Sequence, residues 1–373
     1  MISRSTHLVY TLSLIITLIV VLVGCNGVAK TNANPREIRI GAIASLNGPA
    51  GEQGRNWVQG AELAVQELGK EGITVKLIVD DDSTQAAKAV SAFQRMVAIE
   101  KVDAVIGGTW DFLAEALYPL ARKYETPFLT LTNPVEIISA ENKDNPWILT
   151  NSFSLASERV VVREFLKKEQ IHSVALVGPN VPFGAIQVAM FRDLARELNI
   201  PVVFEYEFDI VGASDTIKNT ALRIKQNPPD LVFIVHDYNG LAIFTEQLHL
   251  LEISPKILTV QHLDEAFALS KSPELYRNCF GIYSDVKNPA FTKLFTEHYR
   301  QLPKVYAAEG FDGVQFLTRA LLKGGKGIYV DREAAFTYEG ILGQYRLPSG
   351  GREVGNSTAV IMTTRNGVFK KWE

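Results

Sequence analysis

One stretch constrains the fold more than any other. Residues 102–112 read Val-Asp-Ala-Val-Ile-Gly-Gly-Thr-Trp-Asp-Phe, an amphipathic run follows, and residues 126–134 read Thr-Pro-Phe-Leu-Thr-Leu-Thr-Asn-Pro. That is strand, glycine turn, helix, strand and Thr-rich turn. A helix long enough to cross a sheet joins the two strands, so they run parallel and their carboxyl ends open on one edge. Gly107-Gly108-Thr109 and Thr130-Leu131-Thr132-Asn133 therefore lie side by side. Open parallel sheets bind ligands at that edge, so the stretch reads as one jaw of a ligand cleft.

The alternation continues on both sides of it. Residues 37–46 and 75–79 read as strands, and Trp57, Ala61, Leu63, Ala64, Val65 and Leu68 give a helix between them its apolar side. Asp80-Asp81-Asp82 reads as a solvated strand end, with a cap at Ser83 or Thr84 opening a helix over 84–100. Together these segments predict four repeats of strand then helix. After a polar break at 141–146 and a short strand at 147–150, Asn151-Ser152 reads as a crossing point. A second series of similar size follows: helices at 158–169, 182–198, 217–226 and 241–251 alternate with strands at 172–177, 202–208, 230–235 and 257–260. A strand at 280–286, helices at 289–300 and 307–322, and short strands at 338–347, 358–363 and 368–372 complete the chain. The pattern predicts an α/β fold of two doubly wound parallel-sheet lobes with several chain crossings between them.

The amino terminus carries a different message. Arg4 precedes an apolar run from residue 8 to 23, broken only by Thr11, Ser13 and Thr17, and Leu22-Val23-Gly24-Cys25 follows. A short basic start and an apolar core mark a targeting segment. The four residues ending at Cys25 resemble the bacterial lipoprotein lipobox, which implies cleavage before Cys25, lipidation of its thiol and a tether over 25–35. An uncleaved membrane helix and an ordinary secretory peptide are the alternatives. Two or three acyl chains anchor a protein stably where one is marginal. With Cys25 so occupied, Cys279 is left as a buried free thiol and no disulfide framework exists. A formal net charge of −3, with no long basic run, argues against nucleic acid as a partner.

Enzyme signatures fail on spacing. Gly48, Gly51 and Gly54 give G-x-x-G-x-x-G, not the G-x-G-x-x-G of a dinucleotide site. No H-E-x-x-H, G-x-S-x-G or P-loop pattern occurs, and the six histidines have no metal-ligand spacing. Neither a cofactor nor a metal is called for.

Motif order along the chain resembles the branched-chain amino-acid-binding protein family, the type I periplasmic binding proteins of ABC importers. The resemblance rests on I-R-I-G-A-I-A-S-L-N-G-P-A-G-E-Q-G-R-N-W-V-Q-G-A-E-L-A-V near the start, then V-D-A-V-I-G-G, P-F-L-T-L-T-N-P, A-A-E-G-F-D-G-V-Q and F-T-Y-E-G-I-L-G-Q-Y-R. It implies no enzyme but a solute-binding protein outside the cytoplasm, with hinge closure around a ligand and an ABC permease as partner. It implies lobes of residues 36–151 with 286–355 and 152–285 with 356–373. An extracytoplasmic sensor domain and an exported Rossmann-type enzyme are the alternatives.

The resemblance also assigns site residues. Thr109 would offer a hydroxyl, and its turn backbone N–H groups, to a ligand carboxylate; Trp110 either walls the cleft or packs under the helix. Asp111 reads as the N-cap of a helix starting at Phe112. Thr130 and Thr132, just before Asn133, match the turn where the family grips an ammonium group, or else cap a strand end. Phe183 stands where the family has an aromatic contact, or serves as a hydrophobic staple. His236, Asp237 and Tyr238 form a polar cluster at a strand end of the opposite lobe. Gln53 replaces a family aromatic, and Gly240 falls nearest the place of a family acid. Amino acids, amides and small carboxylates are the candidate ligands; these departures count against a plain α-amino acid and leave amides, other small carboxylates and aromatic acids.

Overall fold

Strand β1 (Ile38–Ala44) is buried along nearly all its length, a position that only the centre of a covered parallel sheet provides. The computed structural model describes residues 36–131, 136, 138–209, 213–331, 333–347 and 358–373. In it β1 lies between β2 (Val75–Asp81) and β3 (Ala104–Gly107), and β4 (Phe128–Thr130) and β5 (Ile148–Thr150) complete a parallel sheet of order β2-β1-β3-β4-β5. A second sheet repeats the plan. Strands β6 (Val174–Pro179), β7 (Val202–Phe208), β8 (Leu231–Ile234), β9 (Lys256–Val260) and β10 (Cys279–Ser284) are parallel in the order β7-β6-β8-β9-β10. A small antiparallel hairpin pairs β11 (Phe336–Glu339) with β12 (Gln344–Leu347). The chain then returns to the second sheet, where β13 (Ala359–Thr363) pairs antiparallel with β10 and β14 (Lys370–Lys371) with β13. The α/β class with two parallel-sheet lobes is thus the observed architecture.

Helices cover both faces of each sheet. On one face of the first sheet α1 (Gly51–Lys70) packs with α10 (Ala307–Gly324). Their crossing is close because glycines face backbone: a Cβ on Gly60 would lie 1.9 Å from the Ala307 carbonyl oxygen, and one on Gly310 2.1 Å from that of Trp57. The other face carries α2 (Ala86–Arg95), which closes on a π turn at Met96–Glu100, and α3 (Asp111–Lys123). Around the second sheet α4 (Leu155–Lys168) and α5 (Pro182–Glu197) lie on one face, and α6 (Ala213–Gln226), α7 (Tyr238–Leu250) and α8 (Leu263–Leu269) on the other. Helix α9 (Pro289–Tyr299) precedes α10 and packs into the first lobe through Phe291 and Phe295.

Several local expectations are corrected. β4 is not followed by a long helix; between β4 and β5 the described residues hold a 3₁₀ turn at Ala140–Asn142. The three aspartates are not simply solvated. Asp82 is fully buried, accepting from the Ser45 hydroxyl at 2.6 Å and the Thr84 N–H at 2.8 Å, and Asp81 accepts from the Leu46 N–H and the Asn47 amide. They tie the turn after β1 to the end of β2. Helix α2 consequently starts late, with Gln85 rather than Ser83 or Thr84 at its N-cap. Cys279 is a buried free thiol, and burial pushes its pKa above the ordinary value. Residues 1–35, including Cys25, lie outside the described residues. No helix among those described is long and apolar enough to cross a membrane.

Candidate functional site

The strand order reverses between β1 and β3 in the first sheet and between β6 and β8 in the second, and such a switch point leaves a crevice beyond the strand carboxyl ends. The two crevices share one cavity of about 470 Å³. The first lobe supplies Pro49 after β1, Thr109 to Phe112 after β3, and Tyr306 before α10. The second supplies Pro179, Val181 and Phe183 after β6, Phe208 ending β7, Val235 to Asp237 after β8, and Val260 to His262 after β9. Much of this wall is aromatic or aliphatic, with polar atoms at a few points, the usual make-up of a small-molecule site.

Those polar atoms are mostly committed to one another. The Thr109 hydroxyl accepts from the Ser45 N–H at 3.1 Å and the Trp57 indole N–H at 3.2 Å, which leaves its own O–H to donate. Gln53 lies behind Trp110: its Oε1 accepts from the Trp110 indole at 2.8 Å, and its Nε2 lies 3.0 Å from Nδ1 of His262 on the other lobe. The Tyr306 hydroxyl donates to Gln261 Oε1. Both residues have left-handed backbones, φ 66° and 48°, a conformation non-glycine residues adopt seldom and mainly where the surrounding structure holds them.

Asp111 is the first residue of α3, and Trp110 takes the N-cap position without a side-chain bond. This corrects the expected cap. The Asp111 carboxylate serves two helices instead: Oδ1 accepts from the Phe112 N–H at 2.8 Å, and Oδ2 crosses the cleft to the Phe183 N–H at 3.3 Å. Burial raises its pKa, against the pull of these backbone donors.

Across the cavity His236 stacks on Phe208 with ring centroids 4.9 Å apart and planes inclined by 17°. Its Nδ1 lies 3.0 Å from Asp237 Oδ1, while its Nε2 is buried without a partner. Asp237 is the N-cap of α7, accepting from the Gly240 N–H at 2.8 Å. Burial works to raise the Asp237 pKa, but His236 and the Gly240 N–H hold it below the ordinary carboxylate value. Gly240 gives the imidazole its seat: a Cβ there would lie 1.9 Å from His236 Nδ1. The position nearest a family acid is thus filled by a neighbouring ring.

Of the residues singled out from sequence, Thr109, Trp110, Phe183, His236 and Asp237 line the cavity together. Gln53 lies one layer behind it. Thr130 is buried at the end of β4 with its hydroxyl unpartnered, outside the lining set, and Tyr238 is half-buried at the start of α7, also outside it. Thr132 and Asn133 lie outside the described residues. Phe208, Gln261, His262 and Tyr306 were not foreseen. Phe208 and Gln261 stand at strand carboxyl ends of the second lobe, the same signal that singled out Thr109 in the first.

Comparison with known proteins places this geometry. A family model described as periplasmic binding protein matches residues 37–339. The Leu/Ile/Val-binding protein of Escherichia coli (strain K12) is 22% identical over 220 residues, 57% of this chain and 58% of that protein. The chain thus spans under three fifths of the curated relatives it matches. Among solved structures, the branched-chain amino acid transporter substrate-binding protein LivJ from Streptococcus pneumoniae, in complex with isoleucine, superposes with a TM-score of 0.78 at 20% identity, over 90% of this chain and 98% of that one. A solute-binding protein of an ABC transporter from Rhodopseudomonas palustris BisB5, in complex with 3,4-dihydroxybenzoic acid, gives a TM-score of 0.75 at 18% identity, over 90% and 95%.

Proposed function

This chain belongs to the periplasmic binding protein family, a family of binding proteins rather than enzymes, and from that premise we propose that it captures a small organic solute between its lobes and hands it to an ABC permease. The observation that carries the reading is the cavity of about 470 Å³ at the carboxyl ends of both sheets, walled by residues from each. No covalent chemistry is required. A solute that touches both lobes binds the closed arrangement better than an open one, and that difference draws the lobes together for the permease to read. Residues 36–151 with 286–355 form one lobe of this reading, and 152–285 with 356–373 the other. Thr109, Trp110, Phe183, His236 and Asp237 touch the solute directly, with Gln53 holding Trp110. Relatives that hold isoleucine and 3,4-dihydroxybenzoic acid support a small solute with an apolar or aromatic body. The targeting pattern supports an anchor through a lipidated Cys25 on the outer side of a membrane.

The test is a thermal-shift screen of the protein against amino acids, amides and small aromatic acids, with Trp110 fluorescence as a second readout. A ligand at a hundredfold excess over its dissociation constant stabilises by about 2.7 kcal/mol. Silence across all three classes in both readouts would end the reading.

A further inference from the structure

Trp110 is the largest side chain among the lining residues, and its indole N–H donates to Gln53 Oε1 at 2.8 Å. An indole nitrogen only donates, so this bond settles which way round the Gln53 amide lies. Its oxygen faces Trp110 and its nitrogen faces His262. Gln53 is buried in the first turn of α1 on one lobe, and His262 holds the N-cap position of α8 on the other. The amide nitrogen lies 3.0 Å from Nδ1 and 3.3 Å from Nε2 of the imidazole. An amide nitrogen only donates, so the ring has to accept, and a ring nitrogen accepts only with a lone pair. A neutral imidazole has one in either tautomer; an imidazolium has none. The bond that crosses the cleft, and steadies Trp110 through Gln53, can therefore be made by neutral His262 alone.

An acceptor for the charged ring is at hand. Oε2 of buried Glu265, without a hydrogen-bond partner, lies 3.5 Å from His262 Nδ1, and Oε1 receives the Asn56 amide of α1 at 3.5 Å. A small turn of the ring would let an imidazolium N–H donate to that free oxygen. The other charged and titratable groups around the seam have their own partners. Asp237 at the start of α7 interacts electrostatically with His262 but is bonded to His236 and the Gly240 N–H. Asp264 of α8 accepts from the Tyr283 hydroxyl and the Val305 N–H. On the first lobe Glu52 of α1 pairs with Lys304, Asp111 accepts from the Phe112 and Phe183 N–H groups, and the Tyr306 hydroxyl donates to Gln261.

We propose that Gln53 is a positioning residue for Trp110 whose hold is set by the protonation of His262: the neutral ring ties Gln53, and through it Trp110, across the cleft, and the imidazolium releases Gln53 and donates to Glu265 instead. Trp110 meets Phe112 edge to face with ring centroids 6.2 Å apart, so the release loosens two aromatic pieces of the cavity wall. A solute would lie against a firm wall when His262 is neutral and a slack one when it is charged. Only that consequence rests on the capture reading; the relay is tested without a solute, so the two fail separately.

The full chain is labelled with 15N, and the indole N–H resonance of Trp110, identified by its loss in Trp110→Phe, is followed from about pH 8 to about pH 5, the window in which histidine ordinarily changes charge. In wild type it moves upfield as the pH falls, the direction of a weakened hydrogen bond. His262→Gln keeps an oxygen to accept from Gln53 but gains no proton, and holds the resonance at its alkaline position throughout. Gln53→Leu removes the acceptor and leaves the resonance near the acid position of wild type at every pH; Gln53→Ala serves where circular dichroism shows that the Leu variant has not folded. Glu265→Gln takes the carboxylate away from the imidazolium and moves the wild-type midpoint to lower pH. A wild-type resonance that stays in place, or one that moves as far in His262→Gln, overturns the inference. A resonance that still follows pH without Gln53 overturns the role of Gln53, and an unmoved midpoint in Glu265→Gln overturns Glu265 as the second partner.

Discussion

Replacing Gly240 with alanine separates the ligand site from the fold more cleanly than removing any ligand-facing side chain. Gly240 is the third residue of α7, and alanine there gains up to about 1 kcal/mol of helix propensity. The new methyl carbon, however, would lie 1.9 Å from Nδ1, 2.0 Å from Cε1 and 2.4 Å from Cγ of His236. To reach an ordinary contact the imidazole has to move by roughly 1.5 Å, and a close-packed wall gives little room for that. The move sacrifices the stack on Phe208, worth about 0.5–1.5 kcal/mol, and the hydrogen bond to the Asp237 carboxylate, worth about 1.5–3 kcal/mol. Set against the helix gain, the expected net loss of stability is about 2 kcal/mol. Affinity for the tightest ligand of the screen should fall as well, since the displaced ring is part of the cavity wall. The informative measurement is the double-mutant cycle with His236→Ala, by urea unfolding. With the ring gone, Gly240→Ala should be neutral or mildly stabilising. If it costs as much with the ring absent as with it present, the glycine is not there for the histidine and the account of this wall is wrong.

Three further outcomes follow from other parts of the chain. Glu158 is buried, and desolvation pushes its carboxyl from near 4.5 up to about 8, against a hydrogen bond from Gln187. Its folded pKa lies above the unfolded one, so its contribution is complete below about pH 4.5 and is lost as pH rises towards 8. Glu158→Gln should therefore match wild type at pH 4.5 and exceed it by a few kcal/mol at pH 8.5 in urea titrations; parallel pH curves would refute this. Asp312 accepts the N–H groups of Ile341 and Leu342, both at 2.9 Å, and Asp312→Ala strands two buried donors at a cost of about 2–4 kcal/mol, read as a lower unfolding midpoint. Cys25→Ser should move the protein from the membrane pellet to the soluble fraction of cells expressing the full chain, and unchanged pelleting would remove the lipid anchor from the proposal.

Much of the fold is legible because its signal is local. Strands such as β1 and β6 are short apolar runs closed by turn residues, and the helices between them carry apolar positions at helical spacing. Cavity-lining residues were legible where they sit at a strand end or a helix start, as Thr109, Trp110, Phe183, His236 and Asp237 do. What escaped the reading depends on partners far along the chain. Asp82 looks like a surface acid until Ser45, 37 residues away, is placed beside it. Asp111 looks like a helix cap until Phe183, 72 residues on, presents its N–H across the cleft. Gly240 is a different case, since its partner lies four residues back. Spacing alone puts His236 near the first turn of α7, but only the strand-to-helix geometry turns its ring onto the glycine.

Contacts across the cleft bear on how selection works. Asp111 to Phe183, Gln53 to His262, Tyr306 to Gln261 and Val305 to Asp264 each join the two sides. Polar groups that close on each other leave few partners for a solute's own polar atoms. Binding then draws chiefly on apolar area against Trp110, Phe183 and Phe208, at about 25 cal/mol per Å² removed from water. Apolar area attracts broadly and distinguishes poorly; one methylene changes affinity by only about 1–3 kcal/mol. Discrimination in such a site comes from what it refuses, and refusal needs a fixed charge with no counter-ion beside it.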